Sequence, residues 1–173
     1  LQYRAERDSL TGLYNKIALE EHVTQKLTEI KEETESAFAL YIIDLDNFKQ
    51  VNDTLGHAFG DKVLCDAADC INRIFSMQDV LGRIGGDEFI ALKDMANVPL
   101  KEREELIRKR AVLLCEDFCR TYMSQNTSIK VSASVGVALY GVHGTTFHDL
   151  YRNADKALYE AKNRGRNNCV IFH

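Results

Sequence analysis

Seven residues, Ala37-Phe38-Ala39-Leu40-Tyr41-Ile42-Ile43, form an apolar run bounded by polar sequence. A short run of this kind is what a strand buried on both faces looks like, so it belongs at the centre of a sheet. It continues directly into Asp44-Leu45-Asp46. Side chains two apart on a strand share a face, so Asp44 and Asp46 project together where the strand emerges from the core. A central strand rarely ends in two same-side carboxylates without a partner cation. Asp44 is therefore a candidate metal ligand, and Asp46 a cap or support, since Asp46 or Asn47 could also cap the helix that follows.

The second chemical signal is Arg83-Ile84-Gly85-Gly86-Asp87-Glu88-Phe89. Val80-Leu81 and Phe89-Ile90-Ala91-Leu92 read as two strands. The paired glycines predict a tight two-residue hairpin turn, for which positive φ is required. The turn would hold Asp87 and Glu88 at the mouth of a buried hairpin, where carboxylates suggest metal. An ordinary solvated turn is the competing reading of the bare Gly-Gly-Asp-Glu. If Asp87 comes beside Asp44, two oxygens from separate strands can hold Mg²⁺, which keeps its other positions for water and substrate phosphate.

Between these signals the sequence offers phosphate and base contacts. Phe48-Lys49-Gln50-Val51-Asn52-Asp53 begins a short helix whose free N–H groups favour an anion, and Lys49 adds a full charge there, although a solvated lysine is the commoner case. Gly56-His57-Ala58-Phe59-Gly60-Asp61 reads as a loop. His57 would fix it by hydrogen bonding, and Asp61 could cap the next helix. Alternatively Asp61 accepts from N1–H and the exocyclic amine of guanine, with Asn52 on the same base edge.

Helices are expected over Lys16–Glu35, Lys62–Ser76, about Leu100–Met123 with Pro99 in its first turn, and Phe147–Asn163. A strand with one inner face is expected over Ile129–Tyr140, and a closing strand over Cys169–Phe172. Leu1–Arg7 reads as the end of a longer, upstream signalling helix. The order predicts one α/β (α+β) domain over residues 1–173, a ferredoxin-like βαββαβ core with a largely antiparallel central sheet flanked by helices. In that arrangement the first strand and the hairpin are adjacent.

At 173 residues the chain can bury about 70% of its unfolded surface and needs no staples. A net charge of −4 indicates no nucleic-acid-binding field, and no stretch has the length of a membrane span. The five cysteines lack a paired CxxC pattern, which fits a reducing, cytoplasmic setting; Cys115 and Cys119, four apart on the expected helix, read as small buried residues before a metal pair.

Six blocks in order resemble the GGDEF domain, the catalytic domain of diguanylate cyclases, a fold related to the nucleotidyl cyclase and polymerase palm. They are Asp8-x-Leu10-Thr11-Gly12-Leu13-x-Asn15, Asp44-x-Asp46-x-Phe48-Lys49-x-x-Asn52-Asp53, Gly56-His57-x-x-Gly60-Asp61, Arg83-x-Gly85-Gly86-Asp87-Glu88-Phe89, Ser134-x-Gly136-Val137-Ala138 and Ala154-Asp155-x-Ala157-Leu158-Tyr159-x-Ala161-Lys162-x-x-Gly165-Arg166-Asn167. The resemblance implies condensation of two GTP molecules into cyclic di-GMP across a homodimer, under an upstream sensory domain. It implies that Asp44, the Leu45 carbonyl and Asp87 bind Mg²⁺ or Mn²⁺, that Asp87 assists removal of the 3′-hydroxyl proton, and that Glu88 supports this centre. Asn52 and Asp61 would read guanine. Lys49, with the Phe48 backbone beside it, would steady the phosphates, and Lys162 and Arg166 would reach them from one helical turn apart on the last helix.

Two positions depart from the family pattern. Ser76 stands where the inhibitory site carries Arg, with Asp79 kept, which implies weak product inhibition. Lys16 stands where Arg is usual, which keeps charge without bidentate bonding. A catalytically silent GTP or cyclic di-GMP binding domain is the alternative class, and a cyclase making an adenine-containing dinucleotide a third. The intact signature and the missing inhibitory Arg speak against the silent domain; the third would carry a different residue at Asp61.

Overall fold

A computed structural model describes residues 5–30 and 35–173. The expected helix tail lies outside the described residues up to Arg4; Ala5 and Glu6 are not helical, and Arg7 pairs with Tyr14 in an isolated β-bridge. The elements are α1 (Lys16–Thr28), β1 (Phe38–Asp46), α2 (Phe48–Leu55), α3 (His57–Ile74), β2 (Val80–Arg83), β3 (Glu88–Asp94), α4 (Leu100–Asp117), β4 (Arg120–Ser124), β5 (Thr127–Leu139), α5 (Phe147–Asn163) and β6 (Cys169–Ile171). The sheet runs β2-β3-β1-β5-β4, with β6 also on β5; every pairing is antiparallel except β5 with β6. β1 and the β2–β3 hairpin are adjacent, as the ferredoxin-like order requires.

β1 is buried on both faces. Ala39, Tyr41, Ile43 and Leu45 join one core with α3 and α4, while Phe38, Leu40 and Ile42 join a second core with α1 and α5. The period of two then places Asp44 and Asp46 on the α5 face. The α1 helix starts where Asn15 Oδ1 accepts from Ala18 N (3.0 Å) and buries Leu19, Val23 and Leu27, each worth about 1.5–3 kcal/mol by transfer. Ile17, in the first turn of the same helix, is exposed. The α5 helix starts at Thr146, whose hydroxyl accepts from Asp149 N (3.1 Å), and packs backbone to backbone on β5 at Gly136.

Several expected elements differ. Helix α1 ends at Thr28, not Glu35, and residues 31–34 lie outside the described ones. Helix α4 ends at Asp117, not Met123: Phe118 leaves helical backbone, and Arg120–Ser124 is a strand whose Tyr122 is buried and donates from its hydroxyl to Asp66 (2.8 Å). Cys119 is therefore off the helix, while Cys115 is buried as expected; all five cysteines are free. Burial of Phe118 and Tyr122 in the core outweighs local helix propensity here. Strand β5 has one inner face only where it pairs with β4; from Val131 onward both faces are buried, because α4 packs on one side of the sheet and α5 on the other.

One loop makes stability depend on pH. His143 Nδ1 accepts from Leu139 N (2.8 Å), which only the neutral ring can do, and burial pushes the His143 pKa below its ordinary value. The unfolded chain then binds this proton more readily than the folded one. The contribution is complete above the unfolded pKa of about 6.5 and is lost as pH falls from there through the lower folded pKa. The melting temperature is expected to fall between pH 7 and pH 5.5, with a shallower slope in His143→Gln; equal slopes in scanning calorimetry would remove His143 as the cause.

Candidate active site

The end of β1 and the start of β3 bring the predicted acidic residues together. Asp44 lies opposite Glu88 in the β1–β3 register, and Leu45 N donates to the Asp87 carbonyl (3.2 Å). Burial and the neighbouring Asp44 charge push the Asp87 carboxyl above the ordinary carboxylate range. Glu88 is also raised, first by burial; its Oε1 accepts from the Tyr151 hydroxyl (2.9 Å), which partly offsets this. Tyr151 was not singled out from the sequence. Its place on α5 over Glu88 depends on the helix crossing the sheet, and no local signal marks it.

Lys162 at the end of α5 forms an ion pair with Asp44 Oδ2. Burial alone would lower the Lys162 pKa, but Asp44, Asp87 and Asp46 together carry it above its ordinary value. Asp44 Oδ1 is buried with no hydrogen-bond partner among the described residues. Two adjacent carboxylates, one with an orphaned oxygen, form a donor set that suits a hard divalent cation completed by substrate oxygens. Among the described residues no group of three or more His, Cys, Asp or Glu side chains is placed to hold a metal, so a site here would rest on two carboxylates and a carbonyl such as that of Leu45.

The hairpin loop differs from expectation. Arg83 pairs with Phe89, and Ile84 N donates to the Glu88 carbonyl (3.0 Å), so the turn is longer than two residues. Neither Gly85 nor Gly86 has positive φ. A Cβ on Gly86 would meet nothing within 4 Å, and one on Gly85 only the Glu88 side chain, so these residues keep the surface beside Asp87 low and open. The loop is held instead by Arg83, whose Nε and Nη2 donate to the Gly86 carbonyl (3.2 and 3.0 Å) and whose Nη1 pairs with Asp8 (3.0 Å). Burial raises the Asp8 carboxyl, but the Thr11 hydroxyl and amide and the Arg83 guanidinium outweigh it and hold Asp8 below its ordinary value. This tie between the first block and the hairpin was not read from sequence, because seventy-odd residues separate its ends.

Asp46 is a support and not a cap: it is 4% exposed and accepts from Ser132 Oγ (2.7 Å), Ser134 Oγ (2.8 Å) and Asn167 N (3.1 Å). Asn47 does not cap α2 either; it takes left-handed backbone and donates from its side chain to the Lys130 carbonyl (3.0 Å). Phe48 packs against the core at the start of α2, and Lys49 beside it is exposed with no ion pair among the described residues. The Gly56–Asp61 stretch is not a loop, because α3 starts at His57. Asp61 therefore sits within the helix, exposed, and is no cap, and the His57 side chain makes no hydrogen bond among the described residues. Asn52 rests across the α2–α3 corner against Gly60, the residue before Asp61, where an added Cβ would lie 1.9 Å from Asn52 Oδ1. Arg166 is not on the last helix. The α5 helix ends at Asn163, and Arg166 lies in the following loop with φ 64°.

The Asp79 carboxylate is wholly enclosed, accepting from Ser76 N (2.8 Å), Ser76 Oγ (3.1 Å), Lys93 Nζ (3.1 Å) and Asp94 N (2.9 Å). Its oxygens are thus occupied within the chain.

The family profile described as diguanylate cyclase, GGDEF domain, matches residues 5–168. The chain belongs to the GGDEF family. It is 37% identical over 168 residues to the bifunctional diguanylate cyclase/cyclic di-GMP phosphodiesterase MucR of Pseudomonas aeruginosa, covering 97% of this chain and 24% of MucR. The structure of the GGDEF domain of TpbB from Pseudomonas aeruginosa superposes with a TM-score of 0.83 at 33% identity, covering 96% of this chain and 94% of that one. The GGDEF domain of DgcB from Caulobacter crescentus, in complex with c-di-GMP, gives 0.78 at 26% identity, covering 99% and 98%. The mixed sheet with flanking helices is thus the GGDEF fold. This GGDEF chain spans between about a fifth and two-fifths of the length of the curated relatives it matches. No helix among its described residues is long and apolar enough to cross a membrane.

Proposed function

We propose that this GGDEF domain is a diguanylate cyclase, joining two GTP molecules into cyclic di-GMP with loss of two pyrophosphates. The observation that carries the reading is the meeting of Asp44 and Asp87 around an orphaned, buried carboxylate oxygen beside Lys162. Asp44, Asp87 and the Leu45 carbonyl would hold Mg²⁺ or Mn²⁺, which supplies charge neutralisation at the reacting phosphate and a lowered pKa for the attacking 3′-hydroxyl. Asp87 assists removal of that proton. Glu88, oriented by Tyr151, supports the same centre. Lys49, on the first turn of α2, and the Phe48 backbone receive phosphate oxygens at a helix N-terminus. With a divalent cation bound at Asp44, Lys162 would be free to turn its ammonium to the phosphates, and Arg166 would add a guanidinium contact beside it. Asn52 and Asp61 take the guanine edge, where N1–H and the exocyclic amine donate to the Asp61 carboxylate.

One domain holding one GTP leaves the ring open, so two copies must face each other. Sensory segments elsewhere in a longer protein would set that encounter, and the substrate places the domain in the cytoplasm. The alternative is a silent nucleotide-binding domain. It draws on NbdA of Pseudomonas aeruginosa, which is 34% identical over 172 residues and is named only as a cyclic di-GMP phosphodiesterase. The two are separated by incubating the domain with GTP and Mg²⁺ or Mn²⁺ over a range of protein concentrations and identifying products by mass spectrometry. Cyclic di-GMP rising faster than linearly with protein is the expected result. Bound GTP with no product at any concentration would favour the silent domain.

A further inference from the structure

The segment after α5 takes an unusual path. Gly165, Arg166 and Asn167 have φ of 109°, 64° and 49°, so two consecutive non-glycine residues occupy the left-handed region, which L side chains resist sterically. Such a conformation persists only where its surroundings over-determine it. On one side, Gly165 N donates to the Lys162 carbonyl (3.2 Å) and Arg166 N to the Ala161 carbonyl (3.2 Å). Asn168 Nδ2 donates to the carbonyls of Ala161 (2.8 Å) and Arg166 (2.9 Å). On the other side the anchor is Asp46, whose Oδ2 accepts from Asn167 N (3.1 Å) and from Ser132 Oγ (2.7 Å) while Oδ1 accepts from Ser134 Oγ (2.8 Å).

This anchor is a buried charge, 4% exposed, with no cation among the partners of its oxygens. Burying a carboxylate on neutral donors alone is costly, and a neutral side chain would serve if shape were the only demand. What a carboxylate offers is two oxygens that both accept, so it can hold a main-chain N–H and two hydroxyls at once. Asp46 also lies two residues beyond Asp44 on the same face of β1, so the rigid strand that ends in Asp44 is the one that grips the Arg166 loop.

We propose that Asp46 is a positioning residue: by accepting from the Asn167 amide it fixes the left-handed Gly165–Asn167 turn and so sets where Arg166 stands relative to the Asp44 and Asp87 carboxylates. The proposal rests on the reading that Arg166 contacts nucleotide phosphates.

The test is a double-mutant cycle on binding of guanosine 5′-[α,β-methylene]triphosphate, with GMP as the short ligand, together with exchange of the Asn167 amide by NMR. Asp46→Asn keeps the shape but leaves a single accepting oxygen. It is expected to weaken triphosphate binding about tenfold, the scale of one charge-assisted hydrogen bond, to leave GMP binding within twofold, and to speed Asn167 amide exchange. Arg166→Ala is expected to cost the same factor, and the double variant no more than Arg166→Ala alone. Asn168→Ala, which loosens the turn from its other side without touching Asp46, is expected to repeat the pattern and serves if Asp46→Asn does not fold. Additive losses, an unchanged Asn167 amide, or equal losses for triphosphate and GMP would each overturn the positioning role. An Arg166→Ala variant that binds triphosphate normally would instead overturn the phosphate role on which the proposal rests.

Discussion

Replacing Asp87 by Ala is expected to reduce cyclic di-GMP formation by about a thousandfold or more while leaving the fold as stable as before, or more so. Without Asp87 the pocket retains Asp44, whose Oδ2 already pairs with Lys162. That pair is close to neutral and offers a divalent cation little reason to stay. Electrostatic stabilisation by a bound metal amounts to several kcal/mol, and about 4 kcal/mol is a factor of a thousand in rate. Stability moves the other way. Burial and the Asp44 charge raise the Asp87 pKa, so the folded state disfavours its ionised form. A carboxyl raised in this way weighs against folding at neutral pH, and the burden lifts as pH falls through its folded pKa. Alanine removes it at every pH, so thermal melting at pH 7 should hold or rise while product vanishes from the mass spectrum. A variant that keeps activity within tenfold, or melts well below the parent, would show that Asp87 holds the structure together instead of serving a reaction.

Gly136→Ala is expected to cost about 3 kcal/mol of stability, near the upper end for overpacking. A Cβ at this position would lie 2.1 Å from the Ala154 carbonyl and 2.4 Å from Leu158 N, both backbone atoms of α5. No rotamer change relieves a clash with helix backbone, so α5 must move away from β5 or the strand must bow. Gly136 is paired on both sides, with Ile42 and with Val170, which blocks the second route. The shift carries Tyr151, Lys162 and the Arg166 loop with it. The melting temperature should fall by about 6–12 °C for a chain of this size. Product formation should fall more than the loss of folded protein explains. Gly86→Ala is the internal comparison, since its Cβ enters open space. Equal melting temperatures for the two variants would show that the α5–β5 contact is not the close one.

The contrast between these glycines explains much of what could be read in advance. Glycines at 85 and 86 suggested positive φ and a two-residue turn. The chain uses that geometry elsewhere, at Gln125-Asn126 between β4 and β5, where Ser124 pairs with Thr127 and Gln125 takes φ 54°. No glycine marks that turn, so β4 was absorbed into the preceding helix. The local sequence there is compatible with helix; burial of Phe118 and Tyr122, and the bond from Tyr122 to Asp66 on α3, decide otherwise. Corners misled for the same reason. His57 and Asp61 follow a glycine and look like a loop, yet α2 and α3 abut with Gly56 alone between them.

What the sequence determined by itself was whatever depends on period and order. The apolar run of β1, its alternation into Asp44 and Asp46, the amphipathic faces of α3 and α5, and the strand order that sets β1 beside the hairpin all follow from side-chain spacing and connectivity. These are local or topological quantities, and Asp44, Asp87 and Glu88 were legible through them. Only the tertiary structure decided which partners those carboxylates meet: Lys162 on Asp44, Tyr151 on Glu88, Asp8 on Arg83, and the Asn167 amide on Asp46. Each of these contacts joins residues more than sixty positions apart, and each turns on a separation of a few ångströms set by how α5 and the first loop pack on the sheet. Periodicity says which face a side chain is on. Distances across that face come from the packed core, where volume and backbone clearance leave one arrangement.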